Sequence, residues 1–563
     1  MRRSPRNLLL VLACALLAVG GCDTHDVAQR ESLIAIASPS IAIDTQEVVN
    51  PLRGQYEDLQ QTLFPQGNPA DKRYPAWPAT HDASLRLSWR QLQPIDPATL
   101  PADAADEQKY DFHVIDEALT DAASHGARLM LQVYSYNSCC NAQYPDNTNI
   151  EIPDWIRAFP GSSTSYPGPA TGSPRITQVV PNWNDPHYLD GFEKLIEALG
   201  RRYDTDERLS VFEFSGYGDF SENHISYVRD TLKAPGPSQE DSMKELGYYA
   251  VFRDQTITLD SIRRLVAAHA RSFPHTQMDV TSNNPEIMRE LFEDPNITKR
   301  LDSPVGIRTN ALGMYSPMPA WATNPYSQYV LQKNPFIDVV RKRFATAPVI
   351  TEWADLTDGR AKDLPSYYQQ SLRDIVKYHV AMTSSVNFPD SRSDKAMDPS
   401  LYLQWAQANV IAGYRYSVSA RAGSESVRDR VATIAATWTN YGAAAAIEKW
   451  TPGYRVVDFS GAVVRTIPSH VALKDLVHSD DTDSSQPVPE STSETVRVEL
   501  AGLPPGHYTV QAAAEWRHHK PGATHVVNYP PMRLARDGRD GSGWYPIATL
   551  DIPRSDLKAG SAQ

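Results

Sequence analysis

At 563 residues the chain has room for about two to four domains, and its 54 basic against 67 acidic residues leave a formal net charge of −13. No basic patch and no RNA-type aromatic motif accompanies that balance, which argues against nucleic acid as a partner. The 27 tyrosines and 11 tryptophans suit stacking on sugar rings and ordinary core packing equally, so their number selects neither.

Taken in order, the chain begins with Arg2, Arg3 and Arg6 ahead of an apolar run from Leu8 to Val19, then Gly20-Gly21-Cys22. A basic start, an apolar segment short for a membrane span and small residues before the break describe an export signal. Its ending resembles a bacterial lipoprotein signal. That resemblance implies that residues 1–21 are removed and that Cys22 is lipidated. The protein would then be anchored in the bacterial cell envelope, on a periplasmic face of either membrane or on the cell surface. Asp23 resembles the inner-membrane retention signal of such proteins. Cys139 and Cys140 are left in the mature chain as neighbours, forming either a strained vicinal disulfide or two free thiols in a loop. No ligand quartet has zinc spacing, and no metal or organic cofactor is expected.

Residues 22–48 read as a polar tether, and Asn50-Pro51-Leu52-Arg53-Gly54-Gln55-Tyr56 opens the folded region. Alternation predicts a strand over 84–89, helical spacing of Val114, Ile115, Ala118 and Leu119 a helix over 113–123, and an apolar run a strand over 129–134. A long loop from Tyr136 to Trp183 follows, of the length that functional loops have. The alternation then continues with helices near 188–202, 259–272, 286–292, 335–344 and 367–380. Strands are expected over 209–214, 277–281, 305–309, 349–352 and 382–388. Strands alternating with helices predict parallel βαβ units. No Gly-rich phosphate loop follows the first strands, and polar or aromatic residues recur at strand ends, which favours a closed β/α (TIM-like) barrel over 49–420. Past residue 420 the texture changes to short runs at 431–438, 455–459, 463–467, 495–500, 508–513 and 548–552. Gly, Pro and Asp turns separate them, which predicts a C-terminal antiparallel β-sandwich over 421–563, with 480–494 as a polar loop.

The chemistry concentrates where strands end. Leu209-Ser210-Val211-Phe212-Glu213-Phe214 runs into Ser215-Gly216-Tyr217-Gly218-Asp219-Phe220-Ser221-Glu222-Asn223-His224, and Ala347-Pro348-Val349-Ile350-Thr351-Glu352-Trp353 ends a second apolar run on a carboxylate. In barrels the loops after the carboxyl ends of strands carry the site. Breaking a glycosidic bond needs one carboxylic acid for the leaving oxygen and one carboxylate on the other side, and Glu222 and Glu352 can supply them from different strands. Glu222 could instead be a first-turn helix acid and Glu352 a solvated loop acid. Arg86 and Arg308 could pair with a carboxylate at the mouth or serve as structural ion-pair partners. Trp89, Tyr134, Trp183, Tyr217 and Trp353 could stack on sugar faces or fill the core. Asp219, His224 and Asn387 complete the set of candidate substrate contacts.

The pattern resembles the clan of retaining glycoside hydrolases built on a β/α barrel, in which the acid/base glutamate follows strand four and the nucleophilic glutamate ends strand seven. More closely, it resembles a family of uncharacterised bacterial secreted proteins with a glycosidase-like barrel and a C-terminal sandwich. That resemblance is carried by Asn50-Pro51 with Arg53-Gly54, Arg86 with Trp89, Tyr110-Asp111-Phe112, Ile152-Pro153 with Trp155, and Gly216 to His224. Farther on it continues through Gly306 with Arg308, Glu352, Thr439-Asn440-Tyr441-Gly442 and Gly543-Trp544-Tyr545. It implies a lipid-anchored hydrolase of oligo- or polysaccharide in which Glu352 attacks and Glu222 is the acid/base. Two departures stand out. Phe220-Ser221-Glu222 replaces the family's Gly-Glu after a tryptophan, leaving Asp219 as a rival acid, and Gln132 stands where arginine is expected. The competing function is a glycan-binding or envelope-assembly lipoprotein that keeps the barrel without the chemistry.

Overall fold

The computed structural model describes residues 35–37, 48–59, 81–137, 148–168, 176–224, 257–354, 363–386, 398–428, 430–478 and 483–554. Eight strands close a barrel in which every neighbouring pair is parallel: β1 Gly54–Asp58, β2 Asp82–Ser88, β3 Arg128–Tyr134, β4 Leu209–Glu213, β5 Gln277–Thr281, β6 Gly306–Leu312, β7 Val349–Trp353 and β8 Met382–Ser384. The ring is sealed by Met382 to Ser384 pairing in register with Gly54 to Tyr56. These strands lie between a filled interior and an outer layer of helices, so they are buried along their length.

Those helices are α1 His113–Ser124, α2 Pro186–Tyr203, α3 Leu259–Ser272, α4 Pro285–Glu293, α5 Phe336–Arg341, α6 Leu364–Lys377 and α7 Pro399–Ile411. Asp185, Asn284, Asp363 and Asp398 each cap a helix by accepting backbone N–H bonds, with proline following in the first turn. Helix α5 is shorter than the predicted span and ends in a 3-10 turn over Arg343–Ala345. Helix α7 was not anticipated. Its Tyr402, Trp405, Ala408 and Ile411 are buried, but Leu403 is exposed and apolar residues run round the whole helix, so no stripe at helical spacing marks it.

The C-terminal region packs two antiparallel sheets. One is β9 Tyr416–Arg428, β10 Val431–Asn440 and β13 Glu490–Glu499; the other holds β11 Trp450–Asp458, β12 Val463–Pro468, β14 Gly506–Trp516 and β15 Tyr545–Ile552. Three features differ from expectation. The first is that β9 starts at Tyr416, inside the stretch assigned to the barrel. The second is that residues 490–494 are strand, not loop: the hydroxyls of Ser491 and Ser493 face Thr439 and Thr437 across the ladder at 2.9 and 2.8 Å, so a polar sequence pairs on an outward face. The third is that Ala35–Ala37, within the predicted tether, adds to the sandwich edge by pairing with Thr549 to Asp551.

The sandwich closes the amino ends of the barrel strands. Arg128, first in β3, pairs with Glu448 at 2.6 Å. Lys520 sends its Nζ to the carbonyls of Asp206 and Leu209 and to Thr276 Oγ1, each at 2.8 Å. Ala444 joins Leu52, Met130, Val211, Ile350 and Met382 in the apolar plug at the barrel base.

Candidate active site

Side chains of a barrel strand alternate between interior and helix layer, so the interior above the plug is filled two residues farther along each strand. Met130 is followed by Gln132, Val211 by Glu213 and Ile350 by Glu352. With Tyr56, Arg86, Asp279 and Arg308 these residues make a charged layer directly above an apolar one. Their chemistry is set by how two guanidinium groups are divided among the carboxyls.

Arg86 Nη2 donates to Glu352 Oε2 at 2.5 Å, while its Nη1 lies 3.7 Å from Glu222 Oε1. Arg308 Nη2 donates to the same Glu352 oxygen at 3.1 Å and to the Tyr56 hydroxyl at 3.1 Å, and its Nε faces Glu213 Oε2 at 3.2 Å. Burial opposes the charge on both arginines. Glu352 for Arg86, and Glu213 with Tyr56 and Glu352 for Arg308, outweigh it and hold both guanidiniums above their ordinary range. Because one guanidinium lies near both carboxylates, their facing oxygens are at most about 8–9 Å apart, a bound that admits both the retaining and the inverting spacing of two acids at one glycosidic bond.

Glu222 reaches this layer on a constrained loop. Gly216 and Gly218 have φ of 104° and 87°, and Phe220, Ser221 and Asn223 are left-handed at 47°, 59° and 60°. Such backbone persists only where its surroundings over-determine it, and here they do. Ser221 Oγ donates to Val133 O at 2.7 Å and accepts from Gly216 N, Asn223 Nδ2 donates to Thr281 O, and Asn283 Nδ2 donates to the carbonyl of Glu222. Asp219 N donates to His224 O at 2.8 Å, closing the turn. A Cβ on Gly216 would lie 2.6 Å from the Phe192 ring, and one on Gly218 2.6 Å from the His224 backbone. The loop therefore requires glycine at both positions.

His224 Nε2 stands 3.2 Å from Glu222 Oε2. Burial would raise Glu222, but the His224 contact, then the charges of His224, Arg86 and Arg308, bring it below the usual carboxylate range. The same contact, together with the charge of Asp219, lifts His224 above its ordinary value against burial. Glu213 shows the reverse. Burial pushes it up to about 8, only partly offset by Arg308, and burial pushes neighbouring Asp279 up to about 6. An elevated carboxyl at the end of strand four has the proton affinity of a general acid, yet Glu213 is only 4% exposed. Its Oε1 accepts from Thr281 and its Oε2 faces Arg308, so it has no route to a substrate.

The structure thus brings together Glu222, Glu352, Arg86, Arg308 and His224. Asp219 sits in the same turn, and Tyr134, the last residue of β3, packs edge-on against Phe220 beneath it. For four of the aromatics the structure shows the core packing that their sequence positions allow. Trp89 is fully buried against Trp155, Tyr188 and Phe192 with its Nε1 on Gln93. Trp183 and Tyr217 pack on each other, and Trp353 packs among Tyr367, Tyr368 and Trp405. All four rings are buried in the core. Asn387, Cys22, Cys139 and Cys140 lie outside the described residues. Sequence reasoning missed Glu213, Asp279 and Tyr56, although an acid inside an otherwise apolar parallel strand, as in Val211-Phe212-Glu213 or Met278-Asp279-Val280, was the available sign.

No family model matches the chain, and no curated protein matches it. Among solved structures it is similar to endo-glycoceramidase II from Rhodococcus sp. in a lactosyl-enzyme intermediate, at 12% identity and a TM-score of 0.34, covering 80% of this chain and 97% of that one. It is also similar to the catalytic domain of β-amylase from Paenibacillus polymyxa, at 11% identity and a TM-score of 0.33, covering 59% and 91%. A third is the tri-modular endo-β-1,4-glucanase B of Bacillus halodurans, at 13% identity and a TM-score of 0.31, covering 80% and 75%. At these values no residue role transfers, and the assignments below rest on the distances above.

Proposed function

We propose that the protein is a glycoside hydrolase that acts on an oligo- or polysaccharide by double displacement. The observation that carries this reading is the shared guanidinium of Arg86, which holds a strand-seven carboxylate and a strand-four-loop carboxylate at one mouth. Glu352, oriented by Arg86 and Arg308, is the group placed to attack the anomeric carbon. Glu222 is the group placed to protonate the departing oxygen and later to activate water. The test is turnover of polysaccharides and aryl glycosides by wild type and E352Q. E352Q is expected to lose at least about a thousandfold in kcat/KM with the fold unchanged by circular dichroism. Near-full activity in E352Q ends the assignment.

One observation favours a second reading. Glu222 sits between cationic groups that stabilise its ionised form, as suits a binding site more than an acid. A glycan-binding barrel without turnover would bind sugar, release no reducing ends and be indifferent to E352Q. We further propose that Cys22 carries a lipid anchoring the protein in the bacterial envelope, on the support of its basic, apolar and Gly-Gly lead. Incorporation of labelled palmitate that is lost in C22A is the expected result.

A further inference from the structure

The position of Glu222 poses a chemical problem for the proposed reaction. A general acid must carry a proton when the glycosidic bond breaks, yet Glu222 Oε1 faces Arg86 and its Oε2 faces His224. Opposite charges at such distances favour the carboxylate. The proton must then be kept on a neighbour and handed over during the reaction. A guanidinium does not release one, which removes Arg86 and Arg308. Glu352 is the other carboxylate on Arg86 and is placed to be the nucleophile. Asp219, whose charge also bears on His224, favours a proton on the imidazole. Among the described residues that leaves His224, whose Nε2 is in contact with the Glu222 oxygen turned away from Arg86.

We infer that His224 stores the proton that Glu222 delivers to the leaving oxygen, so that the acid of this site is the Glu222–His224 pair. The inference rests on the glycosidase reading and deepens it. In the first step a Glu352 oxygen forms a bond to the anomeric carbon as the bond from that carbon to the leaving oxygen breaks. The proton on His224 Nε2 passes to Glu222 Oε2, and Glu222 hands that proton to the leaving oxygen. The step ends with a glycosyl ester on Glu352, a Glu222 carboxylate and a neutral imidazole. In the second step water attacks the anomeric carbon as the bond from that carbon to the Glu352 oxygen breaks, the proton of the water passes through Glu222 to His224, and Glu352 is released as a carboxylate. Nothing is oxidised or reduced, and the proton count closes. The left-handed backbone at Ser221 and Asn223, pinned from β3 and β5, keeps the two side chains in register across the turn.

The test uses the full chain as wild type, H224Q, H224N as a second replacement should glutamine disturb the turn, and E222Q. Methyl and dinitrophenyl glycosides of glucose, galactose and mannose are the probes, because only the methyl leaving group needs a proton. The alkaline limb of kcat/KM on the methyl glycoside should follow the His224 titration midpoint read from its imidazole NMR signals, and that midpoint should fall by at least about one pH unit in E222Q. H224Q should move the limb at least about one unit toward acid and lose at least about tenfold more on the methyl than on the dinitrophenyl glycoside. Turnover by the wild type with superimposable H224Q and H224N profiles, or a His224 midpoint unmoved in E222Q, overturns the inference and leaves the glycosidase reading standing. No turnover by the wild type of these probes or of the polysaccharides used to test the glycosidase reading overturns both.

Discussion

Glu213→Gln separates the charge of the buried layer from its shape. In the folded chain Glu213 holds its proton up to a pH of about 8, against an ordinary value of 4.5, because burial outweighs the help of Arg308. Between those values the folded protein binds more protons than the unfolded chain, so stability falls as pH rises through the window. The cost of ionising Glu213 is absent below about pH 4.5, grows to about pH 8 and is constant above it. The width of the window sets a ceiling of about 4–5 kcal/mol. Asp279 titrates with Glu213 as a pair, and sharing reduces the expected effect to about 2–4 kcal/mol. Glutamine keeps an acceptor for Thr281 Oγ1 but cannot ionise. Relative to wild type, E213Q should therefore gain about 2–4 kcal/mol on going from pH 5 to pH 9. The attraction of Arg308 for the ionised carboxyl is already contained in that proton affinity. Urea unfolding of both proteins at both values measures this, and titrating groups distant from this layer cancel in the difference of differences. The same ΔΔG at pH 5 and 9, or a shift favouring wild type, refutes the reasoning.

Lys520 gives the matching prediction at the barrel base. Burial lowers it to about 7, so between about 7 and 10.5 the unfolded chain binds more protons and wild-type stability rises with pH. In K520M that component of the slope should vanish, measured as melting temperatures at pH 6.5 and 10. Gly216→Ala sets a Cβ 2.6 Å from Phe192 at a φ of 104° and should cost about 2–3 kcal/mol while lowering turnover, read by thermal melts and the aryl-glycoside assay. A chain ended at Ala412 leaves Arg128 without Glu448 and three acceptors without Lys520, so it should be insoluble or molten by near-UV circular dichroism. A soluble barrel with native ellipticity would show that the sandwich is dispensable.

What the sequence shows of this fold follows from periodicity. Strand and helix alternation from 84 to 384 predicts the barrel because each βαβ unit writes its own local pattern, and the same rule puts Glu222 and Glu352 at the mouth. Local pattern carries no information on which face of a residue is already occupied. Trp353 follows Glu352 at a strand end and so looks like a sugar platform, but alternation sends it outward to Tyr368 and Trp405. Trp89 caps β2 yet turns into the cleft that Gly191 leaves in α2, where a Cβ would meet its ring at 2.9 Å. The first half of β13, residues 490–494, escaped because its Ser, Thr and Glu residues suit a loop by composition, and only the partner strand β10 makes them a ladder. Glu213 escaped for the opposite reason, since it lies inside the apolar strand and not among the polar residues that follow it.

The barrel interior also explains why the sandwich matters to a site it never touches. Two guanidiniums and the carboxyls of Glu213, Asp279 and Glu352 occupy one layer, and the proton affinities of Glu213 and Asp279 are raised because water is kept from it. From below, exclusion depends on the plug of Met130, Val211, Ile350 and Met382, which Ala444 completes. Lys520 and the Arg128–Glu448 pair fix the sandwich against the amino ends of β3 and β4. A gap there would admit water beneath Glu213, lower its proton affinity and give Arg308 a second full carboxylate. Arg308 would then be drawn from Glu352 toward Glu213, and the orientation of the strand-seven carboxylate would change without any substitution at the mouth. The base of the barrel and the geometry of its mouth are in this sense one electrostatic unit.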